Sequence, residues 1–367
     1  MKYLILTAPE DTHALAVKIV LEELGHVVRF LFMADQPTKL KNSVFIDNDT
    51  YHWCSSDKQN SVADNEYDVV WWRRARKPHV PKEITHPDDH SFALNENRLL
   101  FESITDNLAP NATWINPKNA AVRAQSKLFQ LRMAVATGMK IPTTLCSNDP
   151  QDIRYFLLKN EAEGVIYKPL CANFWFEAHA TRISYTSRLS FQDLPTNKLL
   201  QLTPGIFQKE IRKKYELRVV YFGGYIIAAK LNSQAHPNGK LDWRAISARE
   251  LNVEQYFLPE SLEEQIKTFM EKMGLVFGSL DFIVNEEGET IFLEVNEQGQ
   301  FLWIEEANPD LKILDVFIQF ITNFTKPFQW EPKKTAHRLH QHHQHIMSMM
   351  QQNMRYHISL NTEKGVQ

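Results

Sequence analysis

GSLDFIVNEEGETIFLEVNEQGQFLWIE, residues Gly278 to Glu305, reads as two apolar β-runs joined across Asn285 to Gly288, the pattern of a hairpin. Side chains alternate between the two faces of a strand, and residues opposite one another on paired strands share a face. An even-length turn therefore sets Asp281 on the face of Glu294, and Asn296, two positions on, joins them. Phe282, Val284, Leu293 and Val295 then point the other way, into a core. Three oxygen-bearing side chains on one face form a hard ligand set that suits Mg²⁺, which commonly keeps waters and phosphate oxygens as its other ligands. The plain alternative is an ordinary hairpin with a polar solvent face, and an odd-length turn without a bulge separates the acids.

Upstream, strand and helix alternate. Tyr3 to Ala8 reads as a strand, followed by a helix opened by Asp11, carrying apolar Ala14, Val17, Leu21 and Leu24, and closed by Gly25. Strands follow at His26 to Phe32 and at Tyr67 to Trp72, the latter running into Arg73, Arg74 and Arg76, so residues 1–115 form a small α/β domain. Asn111 to Pro117 is a joint, Ala120 to Ala136 is helical and stops at Gly138, and Gly164 to Pro169 is a strand carrying Lys168. An antiparallel region covers Ile206 to Ile211 and Glu216 to Phe222, turned by Gly223 and Gly224 into Tyr225 to Leu231. Leu311 to Phe324 is a closing helix. No repeat of useful period and no low-complexity linker is present.

A chain of 367 residues with 43% hydrophobic content supports two or three core-bearing units. A net charge of -3 provides no general attraction to nucleic acid or to an acidic membrane. No apolar run approaches the roughly 20 residues of a membrane span, and Met1 to Thr7 lacks the basic start and long apolar stretch of a signal peptide. The expectation is a cytoplasmic protein without nucleic-acid or membrane partners. Cys54, Cys146 and Cys171 fall in no paired motif, which fits buried hydrophobes in a reducing compartment. After Pro332 come His337, His340, His342, His343, His345 and His357 among Gln, Met and Arg. Such a cluster can bind a soft metal, but no carboxylate or cysteine completes a ligand set, so the expectation is a solvated, partly helical tail.

The familiar phosphate loops are missing. Gly239-Lys240 has neither the earlier glycine nor the Ser/Thr such a loop needs, and no GxGxxG follows the first strand. Cations are available instead: Lys127 on a helix, Lys168 at a strand end, and Arg218 and Lys230 on the two arms of one hairpin, expected to oppose each other across an odd-length turn centred on Gly224. Each alone can be a surface charge, whereas all four ahead of a magnesium hairpin make a triphosphate site.

In this order, Lys127, YKP with Lys168, Gln208 to Ile211, ELR ending at Arg218, Lys230, Asp281 and EVN at Glu294 to Asn296, the chain resembles the ATP-grasp ligases over Trp114 to Phe328. The resemblance implies an α/β (α+β) fold with an N-terminal α/β domain over residues 1–115. Two grasp subdomains with antiparallel sheets follow over 116–200 and 201–330, then a His/Met/Gln-rich tail over 331–367. Within that superfamily it is most similar to the microviridin-type, or graspetide, peptide ligases, on the strength of VWWRR at Val70 to Arg74, DWR at Asp242 to Arg244 and EVNEQGQFLWIE at Glu294 to Glu305.

What the resemblance implies is concrete. ATP and Mg²⁺ are the cofactors, with Asp281, Glu294 and Asn296 holding the metal and Lys127, Lys168, Arg218 and Lys230 the phosphates. Gln208, Lys209, Glu210 and Ile211 form the adenine hinge, with Glu216 or Glu210 available to the ribose. Asp242 is the candidate general base and Arg244 orients a carboxylate or acyl phosphate. Enzymes of this kind bind the leader of a ribosomal precursor peptide and join acidic side chains of its core to Ser/Thr hydroxyls or Lys amines, releasing ADP and phosphate; they are often homodimers. Two positions depart from the pattern. Glu297-Gln298 stands where the family usually has Pro-Asn, and Lys209 where the hinge usually has an acid. Two other functions compete: a grasp ligase joining a small acid or a protein terminus to an amine, and a catalytically silent ATP-binding scaffold for a peptide.

Overall fold

The computed structural model describes residues 1–57, 61–62, 66–84, 86–170, 174–177, 180–183, 186–247, 250–324, 327–333 and 336–360. The chain divides into two units, Met1–Val122 with Gly274–Phe277 and Lys312–Gln367, and Arg123–Met273 with Gly278–Leu311. Among the described residues no helix is long and apolar enough to cross a membrane.

The first unit is built on a parallel sheet in the order Val27–Leu31, Lys2–Leu6, Val69–Trp72, Thr113–Ile115. Tyr3 to Leu6 and Val69 to Trp72 are buried without alternation, as expected of parallel strands covered on both faces. The first crossover helix, Thr12–Glu23, is capped by Asp11, which accepts the His13 N–H at 3.2 Å, and ends before Gly25 at φ +82°. A long helix, Pro87–Asn107, precedes the last strand, and a side sheet of Lys41–Ile46, Tyr51–Ser56 and Ser61–Val62 was not foreseen.

The closing helix is Ile313–Thr322, shorter than expected because Leu311 ends a 3₁₀ turn and Lys312 sits at φ +40°. It is apolar nearly all round, which requires burial; Phe317 packs on Trp71 and Phe277 with ring centroids 4.8 and 4.9 Å apart. The expected solvated tail is instead docked. His343–Tyr356 is a helix packed on Thr12–Glu23, and Ile346, His357 and Ile358 are buried. Its far end is fixed by Asp35, which accepts from the Ile358 N–H and contacts the His357 ring, both at 2.6 Å. Cys54 and Cys146 are only partly buried, and Cys171 lies outside the described residues.

The second unit carries two sheets. One orders Ser187–Leu189, Val165–Lys168, Gly205–Lys209 and Thr144–Ser147, all antiparallel, with Ile153, Phe156, Leu157 and Phe207 in its core. The strand Gly205–Lys209, assigned by sequence to the following subdomain, thus completes this sheet. The other orders Val253–Tyr256, Tyr225–Leu231, Lys213–Phe222, Phe277–Asn285 and Thr290–Asn296. On it lie Glu260–Met273, which buries Leu262, Ile266, Phe269, Met270 and Met273 at helical spacing, and Lys127–Ala136. The expected helix Ala120 to Ala136 is broken in two: Ser126 leaves helical geometry and caps the second piece by accepting the Phe129 N–H.

Candidate active site

The hairpin pairs Asp281 with Glu294 and Ser279 with Asn296, so the three oxygen ligands share a face. The route to that register differs from the simple one. Three residues, Glu286 to Gly288, separate Asn285 from Glu289, whose carbonyl accepts the Asn285 N–H at 3.1 Å. That odd turn alone would set Asp281 opposite Leu293. A register shift between Asp281 and Phe282 makes Leu293 an extra residue and brings Glu294 back opposite Asp281. Leu293, expected in the core, consequently lines the cavity, and fully buried Phe292 takes the core position opposite Phe282.

A cavity of about 480 Å³ opens on this face. Asp281, Glu294 and Asn296 line it together with Lys127, Lys168 and Arg218. Arg218, on Lys213–Phe222, donates Nη1 to Asp281 Oδ2 at 2.6 Å and Nη2 to the Gln300 carbonyl at 2.8 Å. Lys127, the first residue of its helix, pairs with Glu294 Oε2. Burial pushes the Asp281 carboxyl above its ordinary range, and Glu294 adds to that against the pull of Arg218. For Glu294 burial raises as well, but Lys127, Arg244 and Lys168 together outweigh it and hold the acid low. Burial lowers the Lys168 ammonium. Asp281 Oδ1 is buried and has no hydrogen-bond partner among the described residues.

Lys230 does not belong here. The turn at Gly223-Gly224 has two residues, at φ +54° and +117°, so Phe222 pairs directly with Tyr225 and Lys230 falls opposite Leu217, on the other face from Arg218. Its ammonium lies beside Glu254 at 3.2 Å and over the Tyr215 ring. Gln208, Lys209, Glu210 and Ile211, expected to form a hinge, line the cavity. Gln208 donates to Thr144 Oγ1 and keeps its Oε1 buried without a partner among the described residues, Lys209 pairs with Glu163 at 2.6 Å, and Glu210 is held by the Arg188 guanidinium. Glu216 is buried against Lys213 and Ser233, each at 2.9 Å; burial raises its carboxyl.

Asp242 and Arg244 reach the same cavity and bond each other, Nε to Oδ1 at 2.8 Å and Nη2 to Oδ2 at 2.6 Å. Burial raises the Asp242 carboxyl, but Arg244 more than offsets it, leaving a weak base. Between them Trp243 stacks on Trp303 with centroids 4.6 Å apart. Arg73 is fully buried at its strand end and paired with the capping acid Asp11 at 3.0 Å, a structural contact within the first unit.

Two positioning residues escaped the sequence. Gln130 is buried in the helix of Lys127; its amide donates to the carbonyls of Ala124 and Val295 and its oxygen accepts the Val295 N–H at 2.8 Å, clamping Lys127's helix beside Glu294. Lys213 donates to the Leu241 carbonyl at 3.0 Å, tying the approach to Asp242 to the central sheet. A polar residue on an apolar helix face and a lysine beside a turn leave no motif; only the fold exposes them.

No protein-family model matches the sequence. A probable alpha-L-glutamate ligase of Desulfotalea psychrophila is 24% identical over 260 residues, 65% of this chain; the chain spans about half (52%) of that relative's length. Among solved structures, macrocyclase MdnC of Microcystis aeruginosa MRC, bound with precursor peptide MdnA, superposes with a TM-score of 0.76 at 27% identity, over 88% of this chain and all of that one (100%). Macrocyclase MdnB of the same organism gives 0.74 at 26%, over 87% and 98%. A Chryseobacterium gregarium RiPP-associated ATP-grasp ligase, solved with ADP and a leader and core peptide, gives 0.79 at 24%, over 88% and 97%.

Proposed function

We propose that this chain, which has the fold of the ATP-grasp macrocyclases, is an ADP-forming ligase that cross-links a ribosomal precursor peptide by joining Asp/Glu carboxylates to Ser/Thr hydroxyls or Lys amines. The observation that carries this reading is the convergence of Asp281, Glu294 and Asn296 with Lys127, Lys168 and Arg218 in one cavity. The donor set fits Mg²⁺: all ligands are hard oxygens, and Asp281 Oδ1 is left without a protein partner among the described residues. When bound, magnesium screens the phosphate oxygens of the nucleotide.

The chain's own residues account for the rest. A carboxylate resists substitution because its leaving group would be oxide. Transfer of the γ-phosphoryl from ATP to a carboxylate oxygen breaks the bond to the β-phosphate oxygen, releases ADP and leaves an acyl phosphate. Lys127, Lys168 and Arg218 match the charge that spreads over the transferred group. Arg244 offers a two-pronged donor to a substrate carboxylate or acyl phosphate. In turning to it, Arg244 frees Asp242 to accept the proton of the attacking hydroxyl or ammonium. The new ester or amide bond forms as the bond to phosphate breaks. Backbone and apolar groups at Gln208 to Ile211 hold the adenine.

The likeness to the glutamate ligase favours a second reading, in which the acceptor is a small amino acid or a protein terminus. Mass spectrometry of a candidate precursor decides between them: each link removes one water, ADP appears in step with the links, and Asp281→Asn abolishes both. Homodimerisation is part of the proposal and is read from light scattering. A peptide that binds and never changes mass, with ADP formed only on adding a free amino acid, favours the second reading.

A further inference from the structure

Docking of the tail brings together what the sequence kept apart. Glu23, the last residue of Thr12–Glu23, meets His337 and His342, which precede the helix His343–Tyr356, and one ligand atom from each lies within 4.8 Å of the other two. His342 Nδ1 is 3.5 Å from Glu23 Oε1, and the two imidazoles approach with centroids 6.5 Å apart. The missing carboxylate of the histidine cluster is thus supplied from the other end of the chain.

The scaffold holds these groups in place. The His337 N–H donates to Asp315 Oδ1 at 3.2 Å, on the buried closing helix, and Arg338 N–H donates to Gln341 Oε1 at 3.1 Å, shaping the turn that presents His342. His342 is only 8% exposed, and its Nε2 is buried with no hydrogen-bond partner among the described residues. Nδ1, the ring nitrogen turned toward Glu23, is the one offered to a metal.

We infer that Glu23, His337 and His342 form a second metal site, for Zn²⁺ or a similar borderline transition ion. Two imidazoles and one carboxylate are a ligand set zinc uses, with water in the fourth position. At zinc–ligand bonds of roughly 2.0–2.2 Å, tetrahedral ligands lie roughly 3.4 Å apart, so the Glu23–His342 edge at 3.5 Å already has the right length, and His337 offers its ligand atom within 4.8 Å of both. Magnesium, which demands oxygen ligands, is a poor match. The site clasps the C-terminal helix to the first helix and is chemically separate from the all-oxygen set at Asp281.

The test uses untagged full-length protein, stripped of metal by chelation and dialysis, with excess Mg²⁺ present to saturate the oxygen site. Zn²⁺ is titrated by calorimetry, and Co²⁺ by visible absorption as a report of coordination. One equivalent should bind with Kd below about 1 μM, with the strong visible bands of four-coordinate Co²⁺ and a higher thermal midpoint. Glu23→Gln should weaken binding about 10-fold and His337→Gln/His342→Gln about 100-fold or more. The triple variant His340→Gln/His343→Gln/His345→Gln should bind within about 3-fold of wild type, since those imidazoles lie outside the ligand set. Glu23→Gln changes a half-exposed side chain and keeps the test valid should the double variant misfold. Absence of stoichiometric binding, several weak sites only, unchanged affinity in Glu23→Gln, or loss of binding in the triple variant each overturns the assignment.

Discussion

Replacing Arg218 with Met removes one charge from a buried pair while keeping much of the side-chain volume. Arg218 is 2% exposed and holds Asp281 at 2.6 Å and the Gln300 carbonyl at 2.8 Å. Removing one partner of such a pair strands the other and costs about 3–5 kcal/mol, whereas removing both costs much less. At about 2–4 °C per kcal/mol, Arg218→Met should lower the unfolding midpoint by roughly 6–20 °C, and Arg218→Met/Asp281→Asn should recover most of it. The assay is thermal and urea unfolding of both single variants, the double variant and wild type in EDTA.

The sign of the pH dependence follows from the same pair. Burial already raises the Asp281 carboxyl, and loss of Arg218 raises it further, so its folded pKa lies above the unfolded one. The resulting penalty is absent below the unfolded pKa and grows as pH rises to the folded value. The Arg218→Met deficit should therefore shrink between pH 8 and pH 5. Single losses that simply add in the double variant, to within about 0.5 kcal/mol, refute the pairing; a deficit independent of pH refutes its electrostatic origin.

Three further outcomes are expected. Glu294→Gln should reduce ADP formation at least about 100-fold, because a ligand of the screening cation is lost, and should remove the acid-side loss of stability that Glu294 contributes as pH falls through its depressed pKa; near-normal turnover sinks the metal assignment. Because burial lowers the Lys168 ammonium below the ordinary lysine range, a plot of nucleotide affinity against pH should break below that range, and Lys168→Arg should remove the break; a break unmoved by the substitution assigns it elsewhere. Gln130→Leu leaves the Val295 N–H and two carbonyls unpaired, costing about 1–3 kcal/mol, and should raise the nucleotide Kd through displaced Lys127; destabilisation with unaltered affinity would make Gln130 purely structural.

Much of this architecture was legible because burial imposes patterns on sequence. The parallel strands announce themselves as unbroken apolar runs, and the alternation around Asp281, Glu294 and Asn296 reports their common face. Parity was the weak point. At Asp281 an odd turn and a one-residue bulge offset one another, giving the expected pair by a route that misplaced Leu293. At Gly223-Gly224 nothing offset the error, since two glycines permit one- and two-residue turns alike and a single step sends Lys230 to the opposite face. The docking of the tail was illegible for another reason: its fixing contacts come from Asp35 and Asp315, remote in sequence, and depend on the fold being complete.

Within the cavity, each acid proposed for the metal is engaged by a cation proposed for phosphate: Asp281 by Arg218, Glu294 by Lys127. Such pairs avoid the expense of a stranded buried charge, and they set the terms of binding. A divalent ion arriving alone takes the acids and leaves two cations unmatched; a nucleotide arriving alone takes the cations and leaves two acids unmatched. Arriving together, they exchange partners and strand nothing. Metal and nucleotide should therefore bind with positive coupling, which linkage makes equal in both directions. Asn296 fits this logic, because a neutral amide adds a ligand oxygen without a third negative charge that the chain would have to neutralise before the ligands come.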